Sequence, residues 1–198
     1  MIQVDVLSLL ATNLIFSVKI APLVVVVATL VRSALLLTGR KRAIVSWTRN
    51  TLLSFATVIF FPGALVNTGV RYGVCSLFGI DLEGVGSGST YAELNLFLKV
   101  DRPPKVAVLV SALYVSTVAS VFIGFTFLFL PVVLLLGAPI VLLSWYLALC
   151  VLFNSSLRGG DVQLLGAALQ KHPGRGMAEL FIALAILIVF YAFVGVGL

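Results

Sequence analysis

Four long apolar runs separated by polar stretches organise the chain. In the first, residues 6–38, the only charges are Lys19 and Arg32, and Pro22 lies between them. A straight helix of that length would measure about 50 Å, against a hydrocarbon core of roughly 30 Å. The run therefore predicts one span that tilts, protrudes or kinks near Pro22. Residues 51–80 form the second run, with Pro62-Gly63 in its middle, where a proline either kinks a helix or opens a new one. Residues 106–153 carry no charge at all and are punctuated only by Pro131 and by Gly137-Ala138-Pro139. Their length predicts two spans, 106–130 and 132–153, joined by a tight hairpin. Residues 178–198 close the chain as a last span. The pattern predicts a polytopic all-α membrane protein: a bundle of about five transmembrane helices in a single domain, residues 1–198, with four or six as the nearest alternatives.

Between the spans lie polar loops at 39–50, 81–105 and 154–177. In the longest, GVGSGST at Gly84 to Thr90 reads as a turn between two short extended pieces, a small β-like hairpin at the membrane surface. In 154–177, Val162, Leu165, Ala168 and Leu169 share one helical face. This predicts a short amphipathic interfacial helix ended by His172-Pro173.

Composition agrees with the pattern: 61% hydrophobic and 10% charged residues, with mean hydropathy +1.20, leave too little polar surface to cover a soluble core. The net charge of +6 does not signal nucleic acid, because Arg40, Lys41, Arg42 and Arg49 crowd one connector, where bases set topology and touch anionic lipid. The expected setting is an integral membrane protein of the cell membrane, contacting lipid and other membrane subunits. The bases flanking the spans are too evenly shared to fix its orientation. The start, MIQVDVLSLL, lacks the basic region of a signal peptide, so the first run is expected to remain in the mature protein. Cys75 and Cys150 lie in apolar segments and read as small buried hydrophobes, with a disulfide left open.

Several chemistries are excluded by residue supply. His172 is the single histidine and lies in a loop, so a bis-His haem, a His-based zinc site and a Ser-His pair all lack their imidazoles. The acids Asp5, Asp81, Glu83, Glu93, Asp101, Asp161 and Glu179 lie at or beyond span ends, which disfavours an aspartyl intramembrane protease or a carboxylate proton relay. Gly84, Gly86 and Gly88 have neither the strand-to-helix setting nor the Lys-Ser/Thr of a phosphate loop, and Ser87 is not in a nucleophile elbow. No cofactor is implied. What remains near the hydrocarbon is Lys19, Arg32, Asn67 and Arg71. Lys19 and Arg32 are expected to snorkel to the interfaces, whereas Arg71 either snorkels toward Asp81 or is paired inside the bundle.

Asn67 and Arg71 stand at i and i+4 within FPGALVNTGVRYGVCSLFGI, so they share a helical face. This segment resembles the motif helix of the site-2 protease family of membrane metalloproteases. That helix often has a Phe-Pro-Gly-like entry, here Phe61-Pro62-Gly63, then His-Glu-x-x-His, and a Leu-x-Gly-Val/Ile exit, here Leu77-Phe78-Gly79-Ile80. The five central positions read Asn67-Thr68-Gly69-Val70-Arg71, so both zinc-binding histidines and the glutamate are absent. In the family an aspartate completes the zinc site farther along, and here Asn154-Ser155-Ser156-Leu157-Arg158-Gly159-Gly160-Asp161 stands in a similar place. The resemblance covers residues 51–171 and implies a degenerate, catalytically dead site, with Asn67, Arg71 and Asp161 at former ligand positions. The Arg71 guanidinium is then expected within direct or water-bridged reach of Asn67 and Asp161, with the Asn67 carbonyl accepting from it.

The same helix carries Gly69-x-x-x-Gly73, a small-x-x-x-small pattern that lets helices approach closely, with Asn67 and Arg71 as polar glue. Together these readings predict a non-catalytic scaffold or accessory subunit of a larger membrane complex, packing through Gly69 and Gly73. The rival is a transporter or channel subunit in which Lys19, Arg32, Asn67 and Arg71 draw an anionic or polar solute into a cavity. A lipid-active enzyme needs a nucleophile or acid-base set that the polar residues do not supply.

Overall fold

The computed structural model describes residues 6–38, 41–44, 47–90, 93–100, 104–156, 159–171 and 173–196. His172, Arg40, Asp5, Asp101, Arg102 and Arg158 lie outside them. The described chain is mostly helical: α1 (Val6–Thr38), α2 (Thr51–Ile59), α3 (Phe61–Leu77), α4 (Val106–Val133), α5 (Ala138–Asn154), α6 (Gly159–Lys171) and α7 (Pro173–Val196). Helices α1, α4 and α7 are long and apolar enough to cross a membrane, while the pair α2 and α3 is bent by 69° at Phe60. Helix α4 is central, packing against α1, α3, α5, α6 and α7.

Two antiparallel hairpins complete the chain: β1 (Lys41–Ile44) with β2 (Trp47–Asn50), and β3 (Leu82–Thr90) with β4 (Glu93–Val100). The first replaces the loop expected at 39–50. In the second, GVGSGST is not the turn but runs inside β3, with Gly86 opposite Phe97 and Gly88 opposite Asn95. Pairing with the larger residues of β4 outweighs the turn preference of glycine and serine, as sheet context commonly does. At its root, Leu82 and Val100 pack with Val74, Cys75, Ile80 and Ala112.

Helix ends follow local chemistry. Gly79, at φ +66°, closes α3: Ile80 N–H donates to the Cys75 carbonyl and Gly79 N–H to that of Ser76, each at 3.0 Å. This is the glycine stop in which the last carbonyls are satisfied by a left-handed residue. Helix α4 ends the same way without glycine. It runs through Pro131, which was expected to end it, and stops at Leu135, at φ 51°, where Leu136 N–H bonds the Pro131 carbonyl at 3.0 Å. Leu135 is 90% exposed, so no packing opposes this conformation.

Prolines free carbonyls, and side chains of neighbouring helices take them up. Pro22 lies within α1 and has no N–H for the Val18 carbonyl. Tyr191 of α7 donates its hydroxyl to that carbonyl at 2.8 Å, tying the last helix to the first. At the break before Pro62 the Phe60 carbonyl accepts from the Gly63 N–H at 3.1 Å, while no backbone donor among the described residues reaches that of Ile59. Tyr146 Oη donates to Ile59 at 2.6 Å and Asn154 Nδ2 to Phe60 at 2.8 Å, both from one face of α5. Two smaller polar links hold α1 to α4, where Asn13 Nδ2 donates to Thr126 Oγ1 at 2.9 Å and to the Phe122 carbonyl at 3.3 Å.

The close helix approach is made by Gly63, not by Gly69 and Gly73. A Cβ on Gly63 would lie 1.9 Å from the Cys150 carbonyl oxygen of α5, whereas one on Gly69 or Gly73 would meet nothing within 4 Å. The latter pair lies on the exposed side of α3, beside Leu65 and Tyr72. Gly63→Ala is expected to cost at least about 2 kcal/mol, because two backbones must separate. Gly73→Ala should change stability by no more than about 0.5–1 kcal/mol, in the favourable direction. Unfolding of the detergent-solubilised variants checks both.

Candidate functional site

The bend at Phe60 and the Pro62 start set the direction of α3, and its inward face carries Gly63, Ala64, Asn67, Thr68, Arg71, Val74 and Cys75. Asn67 is 1% exposed and spans three helices. Its Nδ2 donates to the Asn154 carbonyl at the end of α5. Its Oδ1 accepts from Ser120 Oγ of α4 at 2.9 Å. The expected Asn67 carbonyl to Arg71 bond is therefore replaced by one to Ser120.

One turn on, Arg71 Nη1 donates to Asp161 Oδ1 at 2.5 Å, joining α3 to the first turn of α6. The two side chains are 10% and 13% exposed. The contact is made through Nη1, and the enclosed Nε of Arg71 has no hydrogen-bond partner among the described residues.

Arg32 corrects a second expectation. It does not snorkel outward: it is 8% exposed and donates from Nη1 to Ser156 Oγ at 2.7 Å. It lies within electrostatic range of both Arg71 and Asp161. Ser156, just after α5, stands against Arg32 of α1, and Asp161 of α6 against Arg71 of α3. Lys19, by contrast, is partly exposed and stands apart from this group.

The segment 154–161 thus holds the bundle at three points: the Asn154 carbonyl on Asn67, Ser156 on Arg32, and Asp161 on Arg71. The structure brings Arg71 and Asp161 into contact and places Asn67 one turn away, on the same face, with Arg32 beside them. Sequence reasoning missed Ser120, Asn154 and Ser156. A signal existed: Ser116 and Ser120, at i and i+4, are polar and buried in a run without charges. Cys75 and Cys150 are both free and buried, and Cys150 Sγ points at the Ile59 carbonyl, 3.8 Å away. Among the described residues no three His, Cys, Asp or Glu side chains gather as a metal site would need.

These side chains donate to and accept from one another across helices. In comparison with known proteins, no family model, curated protein or solved structure matches the chain.

Removing one partner of an ion pair this enclosed leaves the other charge buried with its compensation weakened. Arg71→Met and Asp161→Leu should each cost about 3–5 kcal/mol, whereas the double variant should recover most of that loss. A double-mutant cycle of unfolding in detergent micelles measures the coupling.

Proposed function

We propose that this chain is a non-catalytic integral membrane protein of the cell membrane that scaffolds, or is an accessory subunit of, a larger membrane complex. It has about five membrane crossings: α1, the bent pair α2 and α3, α4, α5 and α7. Its ancestry is a degenerate site-2-protease-like fold in which Asn67 and Arg71 stand at the former helix ligand positions and Asp161 at the third. No cofactor is part of this reading.

The observation that carries it is the Arg71–Asp161 contact, enclosed by protein. A guanidinium held by an internal carboxylate offers little charge to a passing solute, which weighs against the transporter reading. A cation carried on the chain also does what a bound metal would do for the carboxylate, holding it to α3 without a loaded ion.

The surface left for partners fits the same reading. Gly69 and Gly73 open outward between Leu65 at 52% and Leu77 at 87% exposure, and among the described residues nothing lies within 4 Å of where a Cβ on either would stand. A small-x-x-x-small strip exposed in a bilayer lets a partner helix approach closely. Val162 of α6 is 63% exposed, while Leu165, Ala168 and Leu169 pack toward Val106 and Leu109. The amphipathic helix therefore keeps one apolar side chain outward.

Affinity purification of the tagged full chain from native membranes in mild detergent tests this. A stoichiometric membrane partner is expected, and Gly69→Leu with Gly73→Leu should release it while leaving the unfolding midpoint unchanged. Recovery of the chain alone from native membranes, or solute flux in reconstituted vesicles that Arg71→Leu abolishes, would contradict the reading.

A further inference from the structure

A groove of about 330 Å³ runs between α4 and α7, away from the Asn67 and Arg71 cluster, and is almost wholly apolar. Its walls include Val110, Tyr114, Ile186, Leu187 and Phe190, and the small Ala183 leaves the space between them. From Ala107 to Val115 it extends about 12 Å, by the rise of a helix.

The two ends of the groove differ. At the deep end, Tyr114 Oη and Tyr191 Oη lie 3.1 Å apart, and Tyr191 donates onward to the Val18 carbonyl, so these hydroxyls are satisfied inside the protein. At the other end the chain is polar and basic. Val106 and Leu169 both touch the position of Gly176, at 3.4 Å from where a Cβ would stand. This brings the exposed Lys105, Lys171 and Arg175 to one rim. Glu179 is held there by the Ala107 N–H at 3.4 Å and by Arg175 at 3.1 Å. The rim thus carries three bases against one acid among the described residues.

A groove with an apolar floor and a basic rim at the start of two parallel membrane helices matches an amphiphile with a negative head. We infer that it binds one anionic phospholipid, with an acyl chain between α4 and α7 and the phosphate at Lys105 and Arg175. The basic rim and the anionic head supply the charge complementarity, while Tyr114 and Phe190 set the depth to which the chain enters. This site is independent of the partner surface on α3.

Native mass spectrometry of the purified full chain, incubated in micelles holding equal amounts of dioleoylphosphatidylglycerol and dioleoylphosphatidylcholine, tests it. The unaltered chain should retain one phosphatidylglycerol per chain under activation that strips the other lipids. Lys105→Gln with Arg175→Gln should still retain one lipid but lose the preference, at about fivefold per base removed. Ala183→Phe, which fills the groove, should lose the retained lipid, while Ile188→Phe on the 70% exposed face should behave as the unaltered chain. Unfolding midpoints establish that each variant is folded, and Ala183→Val serves as the milder filling variant if Ala183→Phe is not. Equal retention of the two lipids by the unaltered chain, retention unchanged in the folded groove-filling variant, or a second protein chain in place of lipid would overturn the inference.

Discussion

The ion pair between Arg71 and Asp161 is the contact on which the polar interior of this bundle depends. Membrane helices gain little from hydrophobic association, since lipid is as apolar as leucine, so packing and polar contacts between helices decide how they are arranged. Here that contact ties α3 to the first turn of α6. With it in place, Ser156 meets Arg32 of α1 and the end of α5 meets Asn67. Four helices are thereby fixed around a short segment with no long apolar run of its own.

A second constraint is the need to satisfy carbonyls freed by proline in a medium without water. Pro22 inside α1 and Pro62 at the start of α3 are each met from another helix: Tyr191 donates to the Val18 carbonyl, and Tyr146 and Asn154 donate to those of Ile59 and Phe60 beside the bend. The prolines are therefore part of the packing scheme. Each directs a tyrosine or asparagine of a later helix to one place, and the Cys150 carbonyl reaches α3 only because position 63 has no side chain.

Much of this was legible in the sequence. Long apolar runs foretold the long helices, and the i, i+4 spacing put Asn67 and Arg71 on one face. The amphipathic pattern located α6, whose Leu165, Ala168 and Leu169 pack on the bundle while Val162 stays exposed. What was not legible depended on which segments meet in space. Arg32 resembles a snorkelling base until Ser156 is known to stand opposite it. Gly69 and Gly73 look like the packing glycines by spacing, yet Gly63, which has no such partner in the sequence, is the one pressed against a backbone. The glycines and serines of β3 suggest a turn because nothing local reveals β4 pairing along their whole length.

The central claim is that a positive charge at position 71 holds Asp161, and with it α6, to α3. Under the proposed ancestry a metal ion held by histidines at the same two helix positions should do the same work. The direct measurement is the unfolding midpoint of Asn67→His with Arg71→His, with and without Zn²⁺, alongside the same variant carrying Asp161→Asn. The account predicts that zinc raises the midpoint of the double variant toward that of the unaltered chain, by linkage of binding to folding, and does not do so without Asp161. A folded double variant whose midpoint and zinc content are unmoved by the metal would contradict it.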